Sequence, residues 1–268
     1  MSRRLPLLLV IPHGGREIPD ELSGYENVSA ADIFFESDAG AEIIYDTETT
    51  MERPISASVS KLFVDPDREF SQLHPGTTDG VIKMITSMNR EVFRKNCYPD
   101  EIAISNILDR YYFPFHEAVR EAVNRRKIKM LIECHTHAAV GPLNSDDAGM
   151  PRPLVITSYA PHTGPGSAGR SVADAAMELS AITGKLMMKE GDTVAEKFRA
   201  EAAGTGGYIM KLYGESIPVI RLSVSRALFL NDRDFSINEL DIDRSRLLRL
   251  GRIISSGLEK FCSRFRQG

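Results

Sequence analysis

Leu7-Leu8-Leu9-Val10-Ile11-Pro12-His13-Gly14-Gly15 is the stretch whose reading decides the fold class. Five consecutive apolar residues with no polar alternation read as a strand covered on both faces, the mark of a parallel sheet in an α/β domain. Pro12 ends the run and hands the chain to a histidine and two glycines, which permit a sharp turn or a close approach of backbone to ligand. A leader peptide over the same residues fits less well, because the apolar run is short and no small-residue cleavage site follows it.

Similar apolar runs recur at 55–59 with 62–64, 129–133, 154–158 and 219–224. Helical spacing separates them, over 38–45, 101–126, 169–181 and 240–265, with Asp38 as a helix cap and Pro114 kinking the second. The alternation predicts a single α/β domain over residues 1–268, a mixed, mostly parallel sheet flanked by helices. In such sheets ligands bind beyond the carboxyl ends of the strands. Chemistry is therefore sought just after each run.

Composition narrows the function classes. The 268 residues carry a net charge of -4 and no Trp, with 7% aromatic residues. That leaves no basic field for phosphates and no stacking platform for bases, so a nucleic-acid partner is not expected. No run approaches the length of a membrane span. Three scattered cysteines, Cys97, Cys134 and Cys262, build neither a disulfide framework nor a CxxC metal site, and a reducing cytoplasm is the expected compartment.

His13 stands at the end of the first run, as a ligand or as a plain loop residue, and Glu17 is within reach as a second ligand. Lys129-Met130-Leu131-Ile132-Glu133-Cys134-His135-Thr136-His137 repeats the theme. Alternation puts His135 and His137 on one side, with Glu133 available to orient an imidazole. Two strand-end histidine sites in one chain suggest a metal, zinc first. Cys134 as a nucleophile is the weaker alternative, since it alternates away from His135. In Ser60-Lys61-Leu62-Phe63-Val64-Asp65-Pro66-Asp67-Arg68, Arg68 either forks onto a substrate carboxylate or forms a rim salt bridge to Asp65 or Asp67. Gly204-Thr205-Gly206-Gly207-Tyr208 offers amides for an anion, and His116 packs on the long helix.

Taken in order, these segments resemble the N-formylglutamate amidohydrolase family, which is similar to the zinc-dependent exopeptidases. The resemblance rests on His13-Gly14-Gly15 with Ile18-Pro19, Ser37-Asp38-Ala39-Gly40-Ala41, the 60–68 stretch, Tyr112 to Val119, Glu133-Cys134-His135-Thr136 and Gly206-Gly207-Tyr208-Ile209. It implies a zinc-exopeptidase-like fold and one zinc ion per chain on His13, Asp38 and His135. It implies further that Arg68 grips the α-carboxylate of a small N-acyl amino acid such as N-formylglutamate, with Arg226 and Tyr208 on the acyl side. Glu17 then drops out as a ligand.

Three residues depart from the family pattern. Asp67 stands where the family has Asn, Glu133 where it has Asp, and Ser223 where it has the Glu that serves as general base. General acid–base assistance is worth roughly 10²–10⁴-fold, so Ser223 implies a slow enzyme, a substitute base, or a member that binds a carboxylate without turnover. Glu133, Glu17 and His137 are the candidate substitutes. Glu133 and Arg226 are the candidate catalytic residues, Arg226 polarising a carbonyl or binding an anion.

Overall fold

The computed structural model describes residues 4–125, 127–143, 145–160, 171–188, 198–202, 207–230 and 235–265. Strand β1 (Leu7–Ile11) lies where the apolar run predicts it. Helix α1 (Ala30–Glu36) is nucleated by a capping box, Ser29 Oγ accepting from Asp32 N while the Asp32 carboxylate accepts from Ser29 N. There follow α2 (Ala41–Ile44), β2 (Ile55–Ser56), α3 (Glu101–Ile107) and α4 (Phe113–Val123). The chain continues through β3 (Met130–His137), β4 (Val155–Tyr159), α5 (Val172–Met187), β5 (Phe198–Ala202), α6 (Tyr208–Tyr213), β6 (Val219–Ser225) and α7 (Arg244–Phe265).

The six strands form one sheet in the order β2-β1-β3-β6-β4-β5. Every neighbouring pair is parallel except β4 with β6. Alternation divides each central strand between two cores. Leu7, Leu9, Ile11, Met130, Ile132, Cys134, Ile220, Leu222 and Val224 pack under α2, α5 and α7. Leu8, Val10, Leu131 and Val219 pack under α4 and α6. A third cluster around Phe63, Val81, Ile82, Val92 and Phe93 holds the long β2–α3 connection against α3.

The register then fixes the chemistry. Glu133 pairs with Arg221, His135 with Ser223 and His137 with Ser225, all on the face opposite Cys134. Six polar side chains are thus delivered side by side at the carboxyl ends of two central strands.

Several expectations are corrected. The run at 55–59 is a strand only over Ile55–Ser56, and 62–64 is a turn, because this segment leaves the sheet to pair by single bridges with the loop after β1. Asp38 caps no helix side chain to backbone; Gly40, in the left-handed region, is the N-cap of α2, and the helix is shorter than 38–45. Helix 101–126 is interrupted by a π-helical turn at Leu108–Tyr112, which widens the backbone just before Pro114 so that the missing proline N–H costs no regular bond. β3 outruns its apolar segment by four residues, so His135 and His137 lie within the strand. Residues 161–170, including His162 and the start of the helix expected at 169, lie outside the described residues, as do 204–206 of the glycine cluster.

Candidate active site

Asp38 is carried on the turn between α1 and α2 and meets His13 through the backbone, Asp38 N donating to His13 O at 2.8 Å. Arg226, just beyond β6, donates from Nη1 to the carbonyls of Phe35 (2.8 Å) and Ser37 (3.4 Å) and so pins this turn from behind. His135 comes in from β3. Ligand atoms of His13, Asp38 and His135 all lie within 4.8 Å of one another, and all three residues are buried.

Both imidazoles lie between Asp38 and a second buried carboxylate, although only His135 is within hydrogen-bond distance of Asp38. Each presents Nδ1 to Asp38 Oδ2, at 2.7 Å for His135 and 3.9 Å for His13. Each turns Nε2 to a buried carboxylate, Glu133 Oε1 at 2.7 Å and Asp65 Oδ1 at 2.8 Å. Such carboxylate–histidine pairs fix the tautomer and aim the other nitrogen at a metal. Burial lowers the His13 pKa despite Asp65, so its Nδ1 carries a free lone pair. Burial also pushes His135 down, yet Asp38 and Glu133 on either side hold it at about 9. The second proton on His135 therefore occupies a place that two carboxylates have made favourable for a cation. Two imidazole nitrogens and one carboxylate, with no fourth protein ligand among the described residues, fit a catalytic rather than a structural metal site.

Behind this centre lies a charge network that the sequence analysis did not assign. Asp65 also accepts from Lys83 Nζ at 3.0 Å, and burial is outweighed by Lys83 and His13, which hold the carboxyl well below its usual range. Arg221 Nη2 bridges Asp67 (2.6 Å) and Glu133 (2.9 Å). Burial and the neighbouring Glu133 raise the Asp67 pKa, whereas Arg221 and His135 overcome burial at Glu133 and lower it. Asp67 is further fixed by the amides of Asp67's neighbours in α6: Ile209 N donates to its Oδ1 at 3.0 Å. Gly207 makes this approach possible, since a Cβ there would stand 1.8 Å from Asp67 Oδ2. The signal for Arg221 was present in the sequence, as a lone cation inside the apolar run Val219-Ile220-Arg221-Leu222. A charge in a buried central strand requires a partner.

These groups line a cavity of ≈ 530 Å³, with Lys61, Arg68, Asp79 and Ser223 on its walls beside the His13–Asp38–His135 centre. Arg68 is in the cavity as expected, but its salt bridge is neither to Asp65 nor to Asp67. Nη2 pairs with Asp79 at 2.7 Å and Nε donates to the Asp79 carbonyl at 3.1 Å. Ser223 Oγ lies 2.8 Å from His137 Nδ1, and His137 Nε2 donates to Pro153 O at 2.9 Å. His137 thus faces Ser223 and not the His13–Asp38–His135 group. Glu17 lines a separate surface groove.

A family model described as N-formylglutamate amidohydrolase matches residues 5–230. The chain belongs to the N-formylglutamate amidohydrolase family. Among solved structures, it is similar to the crystal structure of N-formylglutamate amidohydrolase from Ralstonia eutropha JMP134, with 14% identity, a TM-score of 0.68, and 99% of this chain and 96% of that chain covered. It is also similar to the crystal structure of a gene product from Agrobacterium tumefaciens, with 16% identity, a TM-score of 0.64, and 98% and 92% covered. These likenesses show the shared fold. No curated protein matches the chain significantly.

Within this amidohydrolase fold, Tyr208 and Arg226 are not among the residues lining the cavity. Tyr208 packs against the His116 ring, with centroids 5.6 Å apart, and Arg226 supports the Asp38 turn. Cys134 is fully buried in the opposite core, where burial pushes its thiol up, so it is no nucleophile. Among the described residues, no helix is long and apolar enough to cross a membrane.

Proposed function

We propose that this amidohydrolase is zinc-dependent and cleaves the amide bond of a small N-acyl amino acid, N-formylglutamate or a near analogue. The observation that carries the proposal is the matched orientation of His13 and His135, each with Nδ1 turned towards Asp38, at 3.9 and 2.7 Å, and Nε2 bonded to a buried carboxylate. His13, Asp38 and His135 would hold the ion. When bound, zinc lowers the pKa of a coordinated water to about 7 and polarises a carbonyl.

The chain's own residues supply the rest. Glu133 and Asp65 keep the two imidazoles aimed, and Arg226 keeps Asp38 in register with His13. Arg68 lines the cavity, paired with Asp79, and Tyr208 supports the loop bearing Asp67 through its amide, which donates to Asp67 O at 3.1 Å. Ser223 passes a proton from the reacting water to His137 Nδ1, the nitrogen left free by the Nε2–Pro153 bond. Burial lowers His137 to about 4, so the imidazole is neutral and able to accept, but it is a weak base. Turnover is accordingly slower than with a carboxylate at position 223.

The experiment is formate release from N-formyl-L-glutamate by protein stripped with chelator and then reloaded with zinc. Zinc-restored hydrolysis, lost in the His13→Ala and His135→Ala variants, supports the proposal. Hydrolysis indifferent to metal and to both substitutions overturns it. Ser223 in the family's glutamate position favours a second reading, a carboxylate-binding protein without turnover. Metal loading and ligand binding with no formate release at any zinc concentration selects that reading.

A further inference from the structure

Four cations line the cavity: Lys61, Arg68, Lys83 and Arg221. Three are already neutralised. Arg221 is shared by Asp67 and Glu133, Lys83 is paired with Asp65 and Asp79, and Arg68 is clamped by Asp79 through its side chain and its carbonyl. Lys61 differs. It is half-buried, and among the described residues its ammonium has neither an ion pair nor a hydrogen bond. Its charge nevertheless reaches into the metal centre, where it is felt by both His13 and Asp38.

A lysine is a compact point charge on a flexible stem, suited to an anion that arrives and leaves. Its backbone is held firmly: Ser60 is fully buried and its amide donates to Glu17 O at 3.0 Å, so the side chain starts from a fixed point on the cavity wall. Arg68 offers less. Its charge is already offset by Asp79, to which Nε and Nη2 donate, whereas Lys61 has no counter-ion to give up.

We propose that Lys61, rather than Arg68, binds the free carboxylate of the substrate and sets the preference for acidic N-acyl compounds. The proposal rests on the amidohydrolase reading and names the residue through which that site selects its substrate class. Charge-assisted hydrogen bonds contribute about 10–100-fold in affinity, and that is the size of the effect at stake.

The test compares hydrolysis of N-formyl-L-glutamate with that of the same compound carrying neutral carboxamides, in zinc-loaded wild type, Lys61→Met, Lys61→Arg and Arg68→Met. Lys61→Met raises KM for the acid about 10–100-fold, with kcat within about threefold. The ratio of kcat/KM for the acid to that for the neutral substrate falls by the same factor, and Lys61→Arg restores most of it. An acid KM that is insensitive to Lys61→Met, or one that rises in Arg68→Met instead, overturns the proposal. If the wild type hydrolyses neither compound, the amidohydrolase reading fails separately, and calorimetric binding of L-glutamate decides Lys61. Affinity lost in Lys61→Met and retained in Lys61→Arg upholds it; equal binding by wild type and Lys61→Met, or none by either, overturns it.

Discussion

His13 Nε2 and Asp65 Oδ1 lie 2.8 Å apart, joining a loop after the first strand to a loop fifty-two residues later. The bond turns a histidine that would otherwise rotate freely into one with a fixed tautomer, and Lys83 holds Asp65 in turn. Asp65→Asn removes the charge that makes Nδ1 basic while keeping the size of the side chain. Metal affinity is expected to fall about 10–100-fold, measured by competition with a chromogenic chelator. Unchanged affinity would mean that Asp65 serves packing alone.

Arg221 is the guanidinium shared by two buried carboxylates, Asp67 and Glu133. Arg221→Met leaves Asp67 and Glu133 buried beside each other, and removing one partner of a buried ion network typically costs about 3–5 kcal/mol. Lower pH neutralises a carboxyl and relieves the repulsion. The deficit in melting temperature relative to wild type should therefore be larger at pH 8 than at pH 5. A constant deficit across that range would remove the electrostatic explanation.

His116 gives stability a pH dependence of known sign. Its Nε2 donates to Pro66 O at 3.0 Å, and burial lowers its pKa to about 4, below the unfolded value near 6.5. The folded state thus prefers the neutral ring. This contribution is complete above pH 6.5 and is lost as pH falls towards 4, amounting to about 3 kcal/mol. Urea unfolding of wild type and His116→Asn at pH 7.5 and 4.5 checks it. The wild type should lose more stability than the variant over that interval, and parallel losses would contradict the assignment.

Under the proposed mechanism Ser223 limits the rate. Ser223→Glu would place a carboxylate where the neutral His137–Ser223 pair is proposed to accept the proton, and kcat is expected to rise at least about tenfold, within the range of general-base effects. Ser223→Ala breaks the relay and lowers kcat about 10–100-fold. A Ser223→Glu enzyme no faster than wild type would show that position 223 is not the proton path.

Much of this site was legible because strand periodicity is a strong signal. The runs at Leu7–Ile11 and 129–133 located His13 and His135, and alternation put Glu133 on the imidazole side. What escaped had physical reasons. Polar Glu133, His135 and His137 disguised the end of β3, whose other face stays apolar through Cys134. β5, Phe-Arg-Ala-Glu-Ala, is an edge strand in which Ala and Glu, weak β-formers, follow a single Phe. Ser29 and Asp32 form a capping box that announces α1 but was passed over. Asp65 and Asp67 were visible as residues, yet their partners, His13, Lys83 and Arg221, lie between 18 and 154 positions away, in contacts that no local pattern encodes.

Metal content tests the account most directly. Elemental analysis of untagged protein, purified without chelator, exposed to a small molar excess of zinc and then dialysed against metal-free buffer, should find close to one ion per chain, and far less in the His13→Ala, His135→Ala double variant. Wild-type protein that holds no metal after exposure to zinc, or a double variant that holds as much as the wild type, would contradict it.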